Sequence, residues 1–230
     1  MPEEPIIQFD RVTIKTRPPY ELGLDEINFS AGAAELILIA VEKGHPVFPL
    51  ADAAQGLVAP DRGRVIFRET DWQALEPDAA ASFRGRIGRV FNPPGWISNL
   101  DVSENITLSQ RHHTRRPEEQ IYREAEKLAR DFGLAKIPNG RPATLNAGNR
   151  RGAELVRAFL GENRLIILEE PMQGAYTDLL SYLIKAVEAA RHRGAAVLWI
   201  SSDFRTLKPG RLETSQHFRL KKTRLFPAPD

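Results

Sequence analysis

The chain has 230 residues, 42% hydrophobic and 27% charged, which is enough apolar material for one well-buried domain, or one domain of two lobes, and excludes wholesale disorder. Lys and Arg number 32 against 30 Asp and Glu, and the resulting net charge of +2 is too small for a dedicated nucleic-acid binder. Cys is absent, which excludes disulfide scaffolds, thiolate zinc sites and cysteine nucleophiles. The N-terminal Met1-Pro2-Glu3-Glu4-Pro5 is acidic, unlike a secretory signal. The longest apolar run, residues 36–41, falls far short of the roughly 20 residues of a membrane helix. The sequence reads as that of a soluble, cytoplasmic chain.

In chain order, residues 6–14 and 27–29 show the period-two pattern of half-covered antiparallel strands. Leu36-Ile37-Leu38-Ile39-Ala40-Val41 is a continuous apolar run, the mark of a strand buried on both faces. A turn cluster, Glu42-Lys43-Gly44-His45-Pro46, follows, and then a short helical pattern over 50–57 that starts just after Pro49, where a missing amide costs nothing. Strands are predicted over 64–67 and within 84–92, the latter running into the non-helical Asn92-Pro93-Pro94-Gly95-Trp96. Residues 117–132 carry Ile121, Ala125, Leu128 and Ala129 on one helical face, with Gly133 as the stop. A second helix spans 148–160, a second buried strand 165–168, a long helix 179–193 and a third buried strand 196–200, before a β-rich tail over 217–225. Buried strands that alternate with helices predict a parallel sheet covered on both faces, with ligands at the strands' carboxyl ends. His112-His113 is read as a solvated pair whose rings point apart.

The segments after Val41, Leu168 and Ile200 therefore carry the functional argument. A phosphate-cradling loop, G-x-x-x-x-G-K-[ST], needs successive amides, a lysine and a hydroxyl for magnesium. In that frame stand Gly44, His45, Pro46, Val47, Phe48 and Pro49: two prolines without amides, Val47 at the lysine position and Phe48 at the hydroxyl position. Losing the lysine and one amide contact costs on the order of 4 kcal/mol, or ~10³ in affinity. The second strand ends in Glu169-Glu170-Pro171, which fits both a magnesium-holding carboxylate pair and a solvated strand end. The third ends in Ser201-Ser202-Asp203, uninformative alone.

Together these segments resemble the nucleotide-binding subunits of ABC transporters over nearly the whole chain. Leu145, Asn146, Ala147, Gly148 and Asn149 lie over the signature LSGGQ, and Arg157-Ala158 over the usual Arg-Ala of the helix behind it. Leu165 to Pro171 lies over the Walker B strand, Gly56-Leu57, Pro60 and Gly63 over the stretch after the P-loop helix, and Val90-Phe91-Asn92 with Leu100, Val102 and Glu104-Asn105 over the Q-loop segment. The stretch from Glu104 to Thr114 is similar to that of Mla-type ATPase subunits, which move phospholipid with MCE-domain proteins.

The resemblance implies an α/β, P-loop NTPase-like (RecA-like) parallel-sheet core, an N-terminal antiparallel β subdomain and an inserted α-helical subdomain. It implies a single domain over 1–230, with a core lobe of about 1–90 and 161–230 and a helical subdomain of about 91–160. It also exposes departures: Glu169 for the magnesium aspartate, Asn92 for the Q-loop glutamine, Ser202 for the switch histidine, and Tyr176 at the D-loop aspartate. Glu170 alone keeps its position, that of the catalytic glutamate. The expectation is a degenerate, non-hydrolysing, lipid-transport subunit with no metal or nucleotide of its own, sharing ATP and Mg²⁺ in the site of a second ATPase subunit, as a heterodimer or a homodimer. It would sit peripherally on the inner face of the cell membrane through an integral permease, without nucleic acid. Pro94, Trp96, Ile97 and Leu100 are the expected permease contacts, with local packing the alternative for Trp96. An active ATPase with drifted motifs and a soluble regulatory module are the competing readings.

Overall fold

The computed structural model describes residues 4–175, 178–203 and 212–228. Strands β1 (Ile7–Ile14) and β2 (Leu24–Ala31) open the chain. Next come β3 (Leu36–Ala40), the short helix α1 (Leu50–Ala54), β4 (Arg62–Phe67), β5 (Thr70–Asp71), α2 (Pro77–Arg84) and β6 (Ile87–Val90). Helices α3 (Val102–His113), α4 (Glu118–Asp131) and α5 (Ala147–Phe159) follow one another before β7 (Leu165–Glu169), α6 (Leu179–His192) and β8 (Ala196–Ser201). The hairpin β9 (Gln216–Lys221) and β10 (Arg224–Pro227) ends the described chain.

The strands form two sheets. One is antiparallel, in the order β2-β1-β4-β5; the other runs β10-β9-β3-β8-β7-β6 and is parallel except for β10. In β1 an irregularity between Phe9 and Val12, with Arg11 at φ 48°, resets the alternation so that Ile7, Phe9, Val12 and Ile14 all reach the buried side.

The continuous apolar runs have a direct explanation in the parallel sheet. Leu36, Leu38, Ile166, Leu168, Val197 and Trp199 face a core shared with α3 to α6. Ile37, Ile39, Leu165, Ile167, Leu198 and Ile200 face a second core against α1 and the antiparallel sheet. Fully burying each such side chain contributes about 1.5–3 kcal/mol, so the central strands hold the two cores together. Gly88 lets α5 lie directly on β6, because a Cβ there would stand 1.8 Å from the Ala158 carbonyl oxygen.

Several local expectations need correction. Helix α1 stops at Ala54 rather than running to 57; Gly56 at φ 65° turns the chain, and Arg84 caps the end by donating to the carbonyls of Gln55 and Gly56. Residue 84 belongs to α2, a helix started by Pro77 and Asp78, and the strand is confined to β6. Helix α3 lies within the expected helical block, and its start is set by a capping box of Asp101 and Glu104. The rings of His112 and His113 do not point apart but meet edge to face, with centroids 4.7 Å apart, where α3 ends.

Candidate functional site at the carboxyl ends of the parallel strands

A cavity of about 530 Å³ opens where β3, β7 and β8 end. It gathers Gly44, His45, Pro46, Val47, Phe48, Asn92, Glu169, Glu170 and Ser202. Pro49 lies behind it, at the start of α1. Tyr176 lies outside the described residues.

Part of the loop after β3 is bound within the protein, while Lys43 lines the cavity from an exposed position. His45 donates its amide to the Glu42 carbonyl (2.9 Å) and Nδ1 to the Pro46 carbonyl (2.8 Å), and its ring meets Phe48 edge-on at 4.9 Å. The Val47 carbonyl accepts from the amides of Glu21 (2.9 Å) and Leu22 (3.2 Å), which fastens the loop to the turn before β2. Gly44 adopts φ 74°, and a Cβ there would meet nothing within 4 Å, so backbone conformation rather than crowding calls for glycine. Val47 is 41% exposed and carries no charge toward the cavity. A helix of five residues offers little dipole to an anion. These residues do not fit a magnesium-bound triphosphate: the lysine, the hydroxyl and two amides of the cradle are missing.

The two carboxylates behind the loop are both engaged. Arg89, in the middle of β6 and 7% exposed, donates Nε to Glu169 Oε2 (2.7 Å). Its Nη1 reaches Asp52 Oδ1 (2.5 Å) and Gln55 Oε1 (3.0 Å), both on or beside α1. Its guanidinium carbon stands 4.4 Å from the centre of the Phe91 ring. Asp52 also accepts from the Tyr20 hydroxyl (2.7 Å). Burial pushes the Glu169 carboxyl upward against the pull of Arg89 and the Asn92 amide. Burial opposes the Arg89 charge, yet Glu169 and Asp52 outweigh it and hold its pKa above the ordinary value.

Glu170 adopts φ 43° and is held at both oxygens: Oε2 accepts from the Ser201 hydroxyl (3.0 Å) and Oε1 from the Ser202 amide (2.7 Å). Ser202, at the switch-histidine position, thus restrains Glu170 through its backbone. The carboxylate is thus oriented by one hydrogen bond on each oxygen.

The signature residues stand apart from this cavity, at the amino end of α5. Asn146 caps that helix by accepting from the Asn149 amide (2.8 Å). Leu145 is half-buried, and Gly148 lies in the first turn. Behind them is a charge cluster that sequence inspection missed. Arg151 and Glu154, 5% and 1% exposed, approach to 2.6 Å, although off hydrogen-bond alignment. Arg151 Nε donates to the Gln173 carbonyl (3.1 Å), tying α5 to the segment after β7.

The same Glu154 accepts from the Trp96 indole (2.8 Å), and Arg157 stacks over Trp96 at 4.7 Å while donating to the Gly95 carbonyl (2.6 Å). Burial draws the Arg157 guanidinium down to about 10, offset in part by Glu154, so it stays charged at neutral pH. Trp96 is therefore half-buried and held by the chain itself, whereas Ile97 is 42% exposed. Asn105 shapes this loop, accepting from the Ile97 amide and donating to the carbonyls of Ile97, Leu100 and Asp101. An arginine amid Ile87-Gly88-Arg89-Val90 is a sequence signal for the Arg89–Asp52–Glu169 cluster, because a buried strand rarely carries a charge without a partner.

Replacing Glu154 with Ala strands Arg151 as a buried, unpaired cation. The expected loss is about 3–5 kcal/mol, read from urea unfolding of the variant beside the wild type. A change under about 1 kcal/mol would remove the structural role given to this cluster.

Comparison with known proteins agrees with this arrangement. The family described as "ABC transporter" matches residues 24–173. The ribose import ATP-binding protein RbsA of Clostridium perfringens is 28% identical over 186 residues, covering 78% of this chain and 36% of that protein. The lipoprotein-releasing system ATP-binding protein LolD of Idiomarina loihiensis is 23% identical, covering 78% of this chain and 79% of that one. The chain thus spans about a third of one such relative and most of another. Among solved structures, the dimeric bacterial ABC transporter cassette MJ0796 superposes with a TM-score of 0.81 at 18% identity, over 95% of this chain and 96% of that one, a likeness of fold. With the family match extending over most of its length, this chain belongs to the ABC transporter family as a domain of the ATP-binding-cassette type.

Proposed function

We propose that this chain is a non-hydrolysing subunit of an ABC transporter, pairing with a competent ATPase subunit and docking on a membrane permease. The observation that carries the proposal is the state of the cavity: Val47 and Phe48 stand at the lysine and hydroxyl positions, and Glu169 and Glu170 are both bound by the protein itself. Phosphoryl transfer relies on positioning and electrostatic stabilisation. A retained glutamate without those partners has nothing to act on.

The purified chain is expected to hydrolyse no ATP and to bind MgATP more weakly than roughly millimolar, because the ~10³ loss applies to a micromolar parent site. Isothermal titration calorimetry with MgATP checks this. Micromolar binding would falsify the non-hydrolysing reading.

The amino end of α5 supports a contribution to the partner's site. Asn146 caps the helix, Gly148 permits close backbone approach, and the first-turn amides with the positive dipole end suit an anion. A heterodimer would then hydrolyse ATP at one site. Gly148→Asp places a carboxylate at that helix end, and the expected result is intact assembly with the partner's hydrolysis rate lowered at least about tenfold. An unchanged rate in the assembled complex would show that this surface contributes nothing.

The groove beside Trp96 supports permease docking. It has a volume of about 480 Å³ and is lined by Phe91, Gly95, Ile97, Leu108, His112 and Arg157 among others. Ile97 and Leu108 are 42% and 40% exposed. Because Trp96 is bound to Glu154, its substitution would disturb packing, so Ile97 and Leu108 are the informative positions. The pair Ile97→Asp and Leu108→Asp should release the chain from permease-containing membranes with its melting temperature little changed; retention on those membranes would exclude the groove. No helix among the described residues is long and apolar enough to cross a membrane, which suits attachment through a partner. The proposal extends to lipid transport on the resemblance of the stretch Glu104 to Thr114, part of α3 and the turn after it.

A further inference from the structure

We infer that Arg89 is a built-in cation behind the strand-end cavity, pairing with both Asp52 and Glu169 from within the chain so that Glu169 is held without a divalent metal. The inference builds on the non-hydrolysing reading and goes past it, since a loop unable to cradle phosphate says nothing about how the carboxylates behind it are satisfied.

The geometry is specific. One guanidinium bonds Glu169 on β7 at 2.7 Å and Asp52 on α1 at 2.5 Å, with Gln55 as a third acceptor at 3.0 Å. The face of Phe91 covers it at 4.4 Å. Tyr20 holds the second Asp52 oxygen at 2.7 Å, which turns Oδ1 toward the arginine. Side-chain exposure is 6% for Arg89, 24% for Asp52 and 15% for Glu169, so one buried cation offsets part of the charge of two carboxylates.

A divalent ion at Glu169 would need several oxygen ligands in near-octahedral array. Here Oε2 already accepts from Arg89, and the fixed positive charge repels a second cation. The guanidinium also joins three elements, β6, α1 and β7. In this chain a residue of the fold ties the loop helix to the strand-end carboxylate. The cavity is thereby held assembled with no ligand in place.

The test uses the full chain and manganese or magnesium chloride alone. Arg89→Met leaves two carboxylates uncompensated. Its melting temperature should fall below that of the wild type and recover with millimolar magnesium, and manganese titrated by electron paramagnetic resonance should bind the variant at least about tenfold more tightly than the wild type. The wild type should show neither response.

Destabilisation of Arg89→Met without any metal response would overturn the inference, leaving Arg89 a packing residue. Manganese uptake by the wild type that Glu169→Gln abolishes would overturn it too. Where Arg89→Met does not fold, the neutral triple variant Asp52→Asn, Arg89→Met, Glu169→Gln decides. Recovery of folding supports charge compensation, and failure to fold refutes it. Micromolar MgATP binding by the wild type would instead strike the non-hydrolysing reading, and the metal titration separates the two.

Discussion

A parallel sheet has no face it can leave in water, and that constraint organises this molecule. β3, β7 and β8 are apolar at successive positions because odd and even residues enter different cores. One core requires helices, and α3 to α6 supply them; the other requires the short α1 and a second sheet. Covering both faces leaves the strand ends as the place where chain polarity, loop backbone and charged side chains converge. The cavity sits there for that reason, whatever ligand chemistry it retains.

Within that frame, the strand-end charges find partners inside the chain. The cradle loop carries Lys43 at the cavity but valine at position 47, and the strand-end carboxylate is not orphaned, because an arginine from the neighbouring strand reaches it and an aspartate of the loop helix together. Glu170 is similarly absorbed, its two oxygens taken by Ser201 and Ser202. Buried ionic groups persist only where partners satisfy them. The same rule explains the second cluster, where Glu154 serves Arg151 and Trp96 at once. The two clusters differ in consequence: the first ties the cavity together, and the second fixes the loop that carries Ile97 to the surface.

The functional picture follows from this division. Glu169 and Glu170 are hydrogen-bonded within the chain, while Ile97 and Leu108 are exposed in the groove beside Trp96. In the proposed function this groove and the amino end of α5 are the surfaces that meet other subunits.

The sequence alone determined the alternation of buried strands and helices, because continuous apolar runs and the 3.6-residue stripe of α4 are local patterns set by which faces must leave water. It also determined which side chains stand after each strand, hence the missing lysine, hydroxyl and amides at Pro46, Val47, Phe48 and Pro49. Helix α2 has no expectation in the sequence, and α3 none of its bounds, because their apolar stripes are weak and their starts rest on Pro77 and on the Asp101–Glu104 box. Only tertiary structure decided the partners of the charges. Arg89 lies 37 residues from Asp52 and 80 from Glu169, and no local periodicity encodes a contact made when three separate elements pack side by side. The same holds for Trp96 and Glu154, 58 residues apart. Hydrophobic burial acts through patterns that a few neighbouring residues reveal, whereas the compensation of a buried charge depends on which distant group the fold brings within hydrogen-bond reach.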